Sequence, residues 1–511
     1  MNDVNFALHK ITRGAGIVFF GTIILFILGF FTRIVVARAF STSEYGIFNL
    51  TLTILNIGLI IAKLGFQNSL PREIAFYRSK NQLKEVEDVI STALSIVTIS
   101  SLFLMAVLTS QSYIIAEFFH NDMLSYTIRI TTFALPFSVL VAIITSISRS
   151  FGRIRESIYY QNIFNPLIFL ILLLINVYFN FKFEYIFISY ILSWILTFLI
   201  LIMDIWRLKL FNFSFSFNMV ITKRLIVFSL PLMITGILVF IMNWTDTLMI
   251  GYYLNPENVG IYNAASPLAR TLTILLTSTA FLYMPVATQL YAQEKIEEIR
   301  RVYQILTKWI FLLTIPVFAI TILFPETVIK YTFGLRYVEA SLALQILSLG
   351  FMFHTLLGLN GVSLIVIGKP NLNLLGDTVT TIFNILLNIF LIPKYGIFGA
   401  SLATSISYIT ANILRSFWLY REVKIHPLRW DYLKLIIISF VLLGIIHSLH
   451  LEFQSILYVI ITLIIFLSIY ILIALLSGCI NIEDIELLLL IKERIGINLR
   501  IFRKLLDGFK R

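Results

Sequence analysis

Apolar residues in this chain come in blocks of about twenty, separated by short polar breaks rich in lysine and arginine, and blocks of that length predict helices able to cross a roughly 30 Å hydrocarbon layer. About fourteen such segments are legible: near 16–38, 45–66, 89–109, 124–147, 160–180, 185–206, 225–253, 259–284, 305–325, 339–367, 372–392, 397–420, 433–450 and 455–477. Two stretches of the pattern repeat. Tyr45-Gly46-Ile47-Phe48-Asn49 leads to Pro71, and Val259-Gly260-Ile261-Tyr262-Asn263 leads to Pro285, so that Gly to Pro is 25 residues both times. A shift of 214 superimposes the first two spans on the seventh and eighth, and a shift of about 216 brings Gly152-Arg153 onto Gly368-Lys369. Six spans therefore recur as a unit. Six is even, so the copies share one orientation and form parallel repeats about an axis along the membrane normal.

Composition reinforces this reading. Of 511 residues 59% are hydrophobic and 13% charged, far outside the range of soluble domains. The expected fold is an all-α polytopic membrane protein. It comprises a six-helix unit over 1–222, a second over 223–431, two extra spans over 432–477 and a basic amphipathic tail over 478–511 lying at the interface. Lys and Arg are retained on the cytoplasmic side. With the N-terminus inside, inner loops and tails hold 29 of the 39 basic residues and outer ends only six, which places both termini in the cytoplasm. The formal charge of +12 reflects that asymmetry and attraction to membrane lipids, not nucleic acid. The first span is too long for a signal-peptide core and lacks a small-residue cleavage site, so it is expected to remain as a membrane helix of the plasma (inner) membrane. One cysteine, Cys479, precludes an internal disulfide, and no Cys/His cluster has zinc-like spacing, so no cofactor or metal is expected.

Taken together, Ala37-Arg38-Ala39-Phe40 leading into Ser43-Glu44-Tyr45-Gly46-Ile47-Phe48, the Gly65-Phe66 to Pro71-Arg72 inner corner, Pro231 in the seventh span, Asp246-Thr247-Leu248-Met249-Ile250-Gly251 and Val259-Gly260-Ile261-Tyr262-Asn263-Ala264-Ala265 resemble the Wzx-like polysaccharide flippases of the multidrug/oligosaccharidyl-lipid/polysaccharide exporter superfamily. The resemblance implies a V-shaped pair of six-helix lobes that opens alternately inward and outward. It also implies a polyprenyl-diphosphate-linked oligosaccharide as cargo, moved from the cytoplasmic to the outer leaflet for cell-surface polysaccharide synthesis.

Intramembrane charges are the candidate site. An ionisable side chain in hydrocarbon costs about 2.5–3.5 kcal/mol on insertion scales and marks a cavity by default. Arg270 lies about eleven residues from one end of its span and about fifteen from the other, beyond snorkelling reach. Asp246 sits about seven residues deep, with no long stem, and is either a coupling residue for H⁺ or Na⁺ or a structural partner of Arg33 or Arg270. The shift of 214 places Asp246 on Thr32 beside Arg33, and Arg270 on Asn56, so both halves carry polar groups at matching depth. Arg33 and Arg38, five residues apart, face about 140° apart. Arg33 is the deeper and Arg38 the one to reach outer headgroups. Lys63, Arg129 and Arg415 complete the substrate-binding candidates, each roughly four to six residues from an expected span end, where its stem reaches the interface.

Cationic side chains suit the implied cargo, because a diphosphate crosses a low-dielectric layer only if its charge is met, and Arg binds phosphate oxygens in a fork. Lipid II flipping and cation-coupled drug efflux are alternatives on the same fold; efflux of cationic drugs favours an acidic cavity. A membrane-embedded glycan polymerase needs a sizeable outer loop, which this chain lacks. A transporter rather than an enzyme is expected.

Overall fold

The computed structural model describes residues 2–208, 219–448 and 456–479. All regular structure among them is helical, and the described part of every expected segment lies mainly on helix. Among the described residues ten helices are long and apolar enough to cross a membrane, eleven if Asp122–Thr131 and Ala134–Ser150, bent by 45°, count as one span. Helix Pro370–Val423, 54 residues long, contains a break at Gly396 (φ 59°, ψ −136°). Asn384 donates to the Thr404 hydroxyl at 3.2 Å; residues so far apart on a straight helix would be about 30 Å distant. The chain thus folds back at Gly396 into two antiparallel passes. Helices Trp430–Ser448 and Ile456–Leu476 occupy the last two expected segments. The predicted tail helix beyond 480 lies outside the described residues.

The second span departs from expectation. Instead of turning at Gly65, the chain breaks over Lys63–Gly65, with Leu64 (φ 50°) and Gly65 (φ 75°) left-handed, and resumes as helix Phe66–Ser79. The continuous span is Thr42–Ser79, 38 residues. Gly65 is required twice over, by its φ and because a Cβ there would lie 2.3 Å from the Ser229 carbonyl oxygen. Pro71 within that helix has no N–H to offer the Gln67 carbonyl. Ser146 Oγ (2.7 Å) and Arg149 Nη2 (3.0 Å) donate to it instead.

The duplication is visible in three dimensions. Helix Thr42–Ala62 crosses helix Pro256–Arg270 so closely that a Cβ on Gly46 would stand 1.7 Å from the Pro256 carbonyl oxygen, and one on Gly260 would stand 2.2 Å from that of Thr42. Each glycine meets the carbonyl four residues before its own copy in the partner helix, and Thr42 and Pro256 are themselves related by the shift of 214, as a two-fold between repeats demands. Pro267 likewise frees the Asn263 carbonyl, and Tyr45 Oη from the other half donates to it at 3.2 Å.

Packing explains the overall shape. One large buried core joins the halves, running through Val36, Tyr45, Ile47, Val259, Tyr262 and Ala265. Toward the basic loops it divides. Leu55, Phe66, Val89, Ile143 and Leu201 form a core made almost wholly of the first half, and Tyr283, Ile299, Tyr303, Leu364 and Leu419 form one belonging to the second. Fused at one end and separately cored at the other, the two limbs make a V whose far end is still bridged where Ser229 Oγ donates to Ser69 Oγ at 2.6 Å and Arg224 pairs with Glu73.

Candidate functional site

A polar cavity of about 340 Å³ lies between the halves and is lined by Arg33, Ile60, Asn243, Trp244, Asn263, Ser266 and Arg270, among others. Both deep arginines named from the sequence therefore face the same space. Arg33 lies over the Trp244 ring, 5.7 Å from its centre. Arg270, last residue of helix Pro256–Arg270 and followed by a 3₁₀ turn at Thr271–Thr273, donates Nη1 to Asn243 Oδ1 at 2.7 Å and Nη2 to the Asn243 carbonyl at 3.0 Å. Its Nε reaches Ser266 Oγ at 3.4 Å, and its guanidinium stands 5.5 Å from the Phe351 ring centre. Three of the five N–H donors of a guanidinium are thus engaged, and two are left over. Both residues are partly exposed, and among the described residues neither forms an ion pair with a carboxylate. Two cations facing one cavity make an arrangement that attracts an anion.

Asp246 belongs elsewhere. It pairs with neither Arg33 nor Arg270, which removes the structural-partner reading. Its side chain is 5% exposed and turned into the second half, where Tyr262 Oη (2.5 Å), Thr404 Oγ1 (2.5 Å) and Asn388 Nδ2 (2.8 Å) donate to it. Asn384 extends the group, accepting from Asn388 Nδ2 at 3.1 Å. The result is a box of four helical passes around a single carboxylate, rich in hydroxyl and amide oxygen. Asn388 Oδ1 is buried within it and without a partner. Among the described residues no group of three or more His, Cys, Asp or Glu could hold a metal ion, so any ion here would be a weakly held hard cation on one carboxylate and neutral oxygens.

The three remaining candidates part company. Lys63 caps helix Thr42–Ala62 at the break before helix Phe66–Ser79, and it does not line the Arg33–Arg270 cavity. Arg129 is exposed and donates Nε to Ser112 Oγ at 2.7 Å, outside the cavity. Arg415 is 8% exposed and bound to Asp377 across the hairpin of Pro370–Val423; it is a structural ion pair and not a cavity group. Arg38 reaches across to the second half, donating Nε to the Thr332 carbonyl at 2.7 Å and Nη2 to that of Tyr331, where a cation suits the end of helix Pro325–Thr332. Asn384, Asn388 and Thr404 were missed. Their signal was an i, i+4 pair of asparagines inside an apolar block, a spacing that puts both on one helix face.

The sequence profile described as polysaccharide biosynthesis protein matches residues 11–290, more than half of the chain, and the MatE profile matches residues 231–393. Among curated proteins the chain is similar to a "Probable low-salt glycan biosynthesis flippase" of Haloferax volcanii, 26% identical over 183 residues, covering 36% of this chain and 39% of that protein. It is also similar to a capsular polysaccharide biosynthesis protein of Staphylococcus aureus, 23% identical over 228 residues, covering 43% and 57%. The matches thus span roughly two fifths to three fifths of those relatives. In architecture the chain is similar to a lipid II flippase in an inward closed conformation, with TM-score 0.72, 18% identity and coverage of 90% and 98%.

Proposed function

The chain belongs to the polysaccharide biosynthesis protein family, and from that premise we propose that it carries a polyprenyl-diphosphate-linked oligosaccharide from the cytoplasmic to the outer leaflet by alternating access. The observation that carries this reading is the pairing of Arg33 and Arg270 on one cavity between the halves, without an acidic partner among the described residues. A diphosphate entering there exchanges water for guanidinium N–H donors, and the cost of charge burial falls on the two partners jointly. Asn243 holds Arg270 by both its side chain and its carbonyl, so the fork is fixed before the anion arrives. Trp244, Asn243 and Asn263 offer an aromatic face and amide groups to the first sugar.

The Asp246 box is the proposed coupling site, taking Na⁺ or a proton. It stands on the same helix as Asn243, three residues and less than one turn away, so occupancy of the box is felt at the arginine that Asn243 holds. In this scheme the units 1–222 and 223–431 act as lobes, both termini are cytoplasmic, and no covalent chemistry is required. The divided cores support opening on the basic side.

The test is leaflet transfer in proteoliposomes containing a fluorescent polyprenyl-diphosphate oligosaccharide. Arg270→Ala is expected to reduce transfer at least tenfold with the protein still folded in the membrane. Wild-type transfer by that variant removes Arg270 from the site and the reading with it.

A further inference from the structure

A second cavity, about 910 Å³, opens at the basic end of the molecule, where helix Phe66–Ser79 of the first half meets the first turns of helix Met219–Tyr253 of the second. It shares no lining residue with the Arg33–Arg270 cavity. Three cations and one carboxylate line it: Arg72, Lys223 and Arg224 against Glu73. Glu73 is 6% exposed and held by Arg224 at 3.3 Å, while Arg224 also donates to Tyr77 Oη at 2.6 Å. That carboxylate is therefore already neutralised. Arg72 lies over the Phe228 ring at 4.4 Å, and neither Arg72 nor Lys223 forms an ion pair among the described residues. The rest of the lining, Met219, Val227, Phe228, Pro231 and Leu232, is wholly apolar, and Val227 is 66% exposed.

A surplus of two cations above an apolar wall, at the end of the molecule rich in basic loops, matches a ligand that is anionic at one end and hydrocarbon at the other. A free phosphate or nucleotide would leave the wall unused, and a zwitterionic lipid would leave the surplus charge unmet. We propose that this cavity binds the phosphate of an anionic phospholipid from the leaflet on the basic side, with Arg72 and Lys223 on the headgroup and the first acyl carbons against Val227, Phe228 and Pro231. Because its walls come from both halves, an occupied site braces the Arg224–Glu73 seam.

The test is native mass spectrometry of the full-length, delipidated protein titrated with phosphatidylglycerol or phosphatidylcholine of matched chains. Phosphatidylglycerol is expected to bind at least fivefold more tightly, and the Arg72→Gln/Lys223→Gln variant to lose that preference. Lys223→Glu, which reverses the charge rather than removing it, is expected to lower phosphatidylglycerol affinity further than Lys223→Gln. Millimolar inorganic phosphate is expected to leave the lipid in place. Equal binding of the two lipids by the wild type, or an unchanged preference in the variants, overturns the proposal. Displacement by inorganic phosphate alone overturns it as a lipid site. Arg270→Ala must retain the preference; its loss there would assign the lipid to the deep cavity, a result separable from failure of leaflet transfer.

Discussion

Replacing Gly260 by alanine tests the crossing of helices Thr42–Ala62 and Pro256–Arg270. The added Cβ would sit 2.2 Å from the Thr42 carbonyl oxygen, about 1 Å inside an ordinary carbon–oxygen contact. The obstacle is backbone, which cannot swing aside as a side-chain tip can, so the helices must part. Overpacking of this kind costs about 1–3 kcal/mol. The state in which this end of the V is apart does not incur that cost, so the ratio of closed to parted molecules is expected to fall about five- to 150-fold. Gly46→Ala, with its Cβ 1.7 Å from the Pro256 oxygen, should act in the same direction, and the double variant should fall short of the sum because both relieve one contact. Gly29→Ala is the control, since no atom lies within 4 Å of its Cβ. Spin labels at Tyr113→Cys and Leu335→Cys, exposed positions in opposite halves, would report the distance distribution, with the buried Cys479 giving little background. A distribution in Gly260→Ala indistinguishable from that of Gly29→Ala refutes the argument that this crossing closes the molecule.

Arg38→Gln removes the charged hydrogen bonds to the Thr332 and Tyr331 carbonyls; as Arg38 is exposed, a loss of about 1 kcal/mol is expected, read as a smaller shift of the same label distances. Asp246→Asn keeps the box polar but withdraws its charge, so leaflet transfer should lose its response to imposed sodium and proton gradients; a retained response would assign coupling elsewhere. Asp377→Ala strands the buried Arg415 guanidinium and should cost on the order of 3 kcal/mol in thermal unfolding. Arg415→Met in that background should recover most of the loss.

Sequence and structure agree where the physics is local. The depth of Arg270 follows from its place in the middle of an apolar block, and the repeat follows from spacing alone. Gly65 and Pro71 read as the end of a span; the break at Gly65 is real, but helix resumes beyond it as Phe66–Ser79 and runs through Pro71. Asp246 invited a search for a cation, whereas hydroxyl and amide groups from Tyr262, Asn388 and Thr404 satisfy it. Two of those partners lie more than 140 residues away, a pairing that only tertiary packing reveals. Arg415 misled for the same reason, its partner Asp377 being brought close by the fold at Gly396. The meeting of Gly46 with Gly260 was likewise hidden, although the repeat supplied both residues, because no periodicity states which faces of two copies touch.

The divided packing also bears on biogenesis. The limb built around Leu55, Phe66, Val89, Ile143 and Leu201 draws on almost nothing made after Leu225, so it can consolidate while later residues are still on the ribosome. Val36, Tyr45 and Ile47 cannot, since the residues that enclose them, Val259 to Tyr337 among others, have yet to be synthesised. A nascent chain stalled halfway is therefore expected to be half mature and half sticky, with one protease-resistant limb and a hydrophobic scar awaiting its twin.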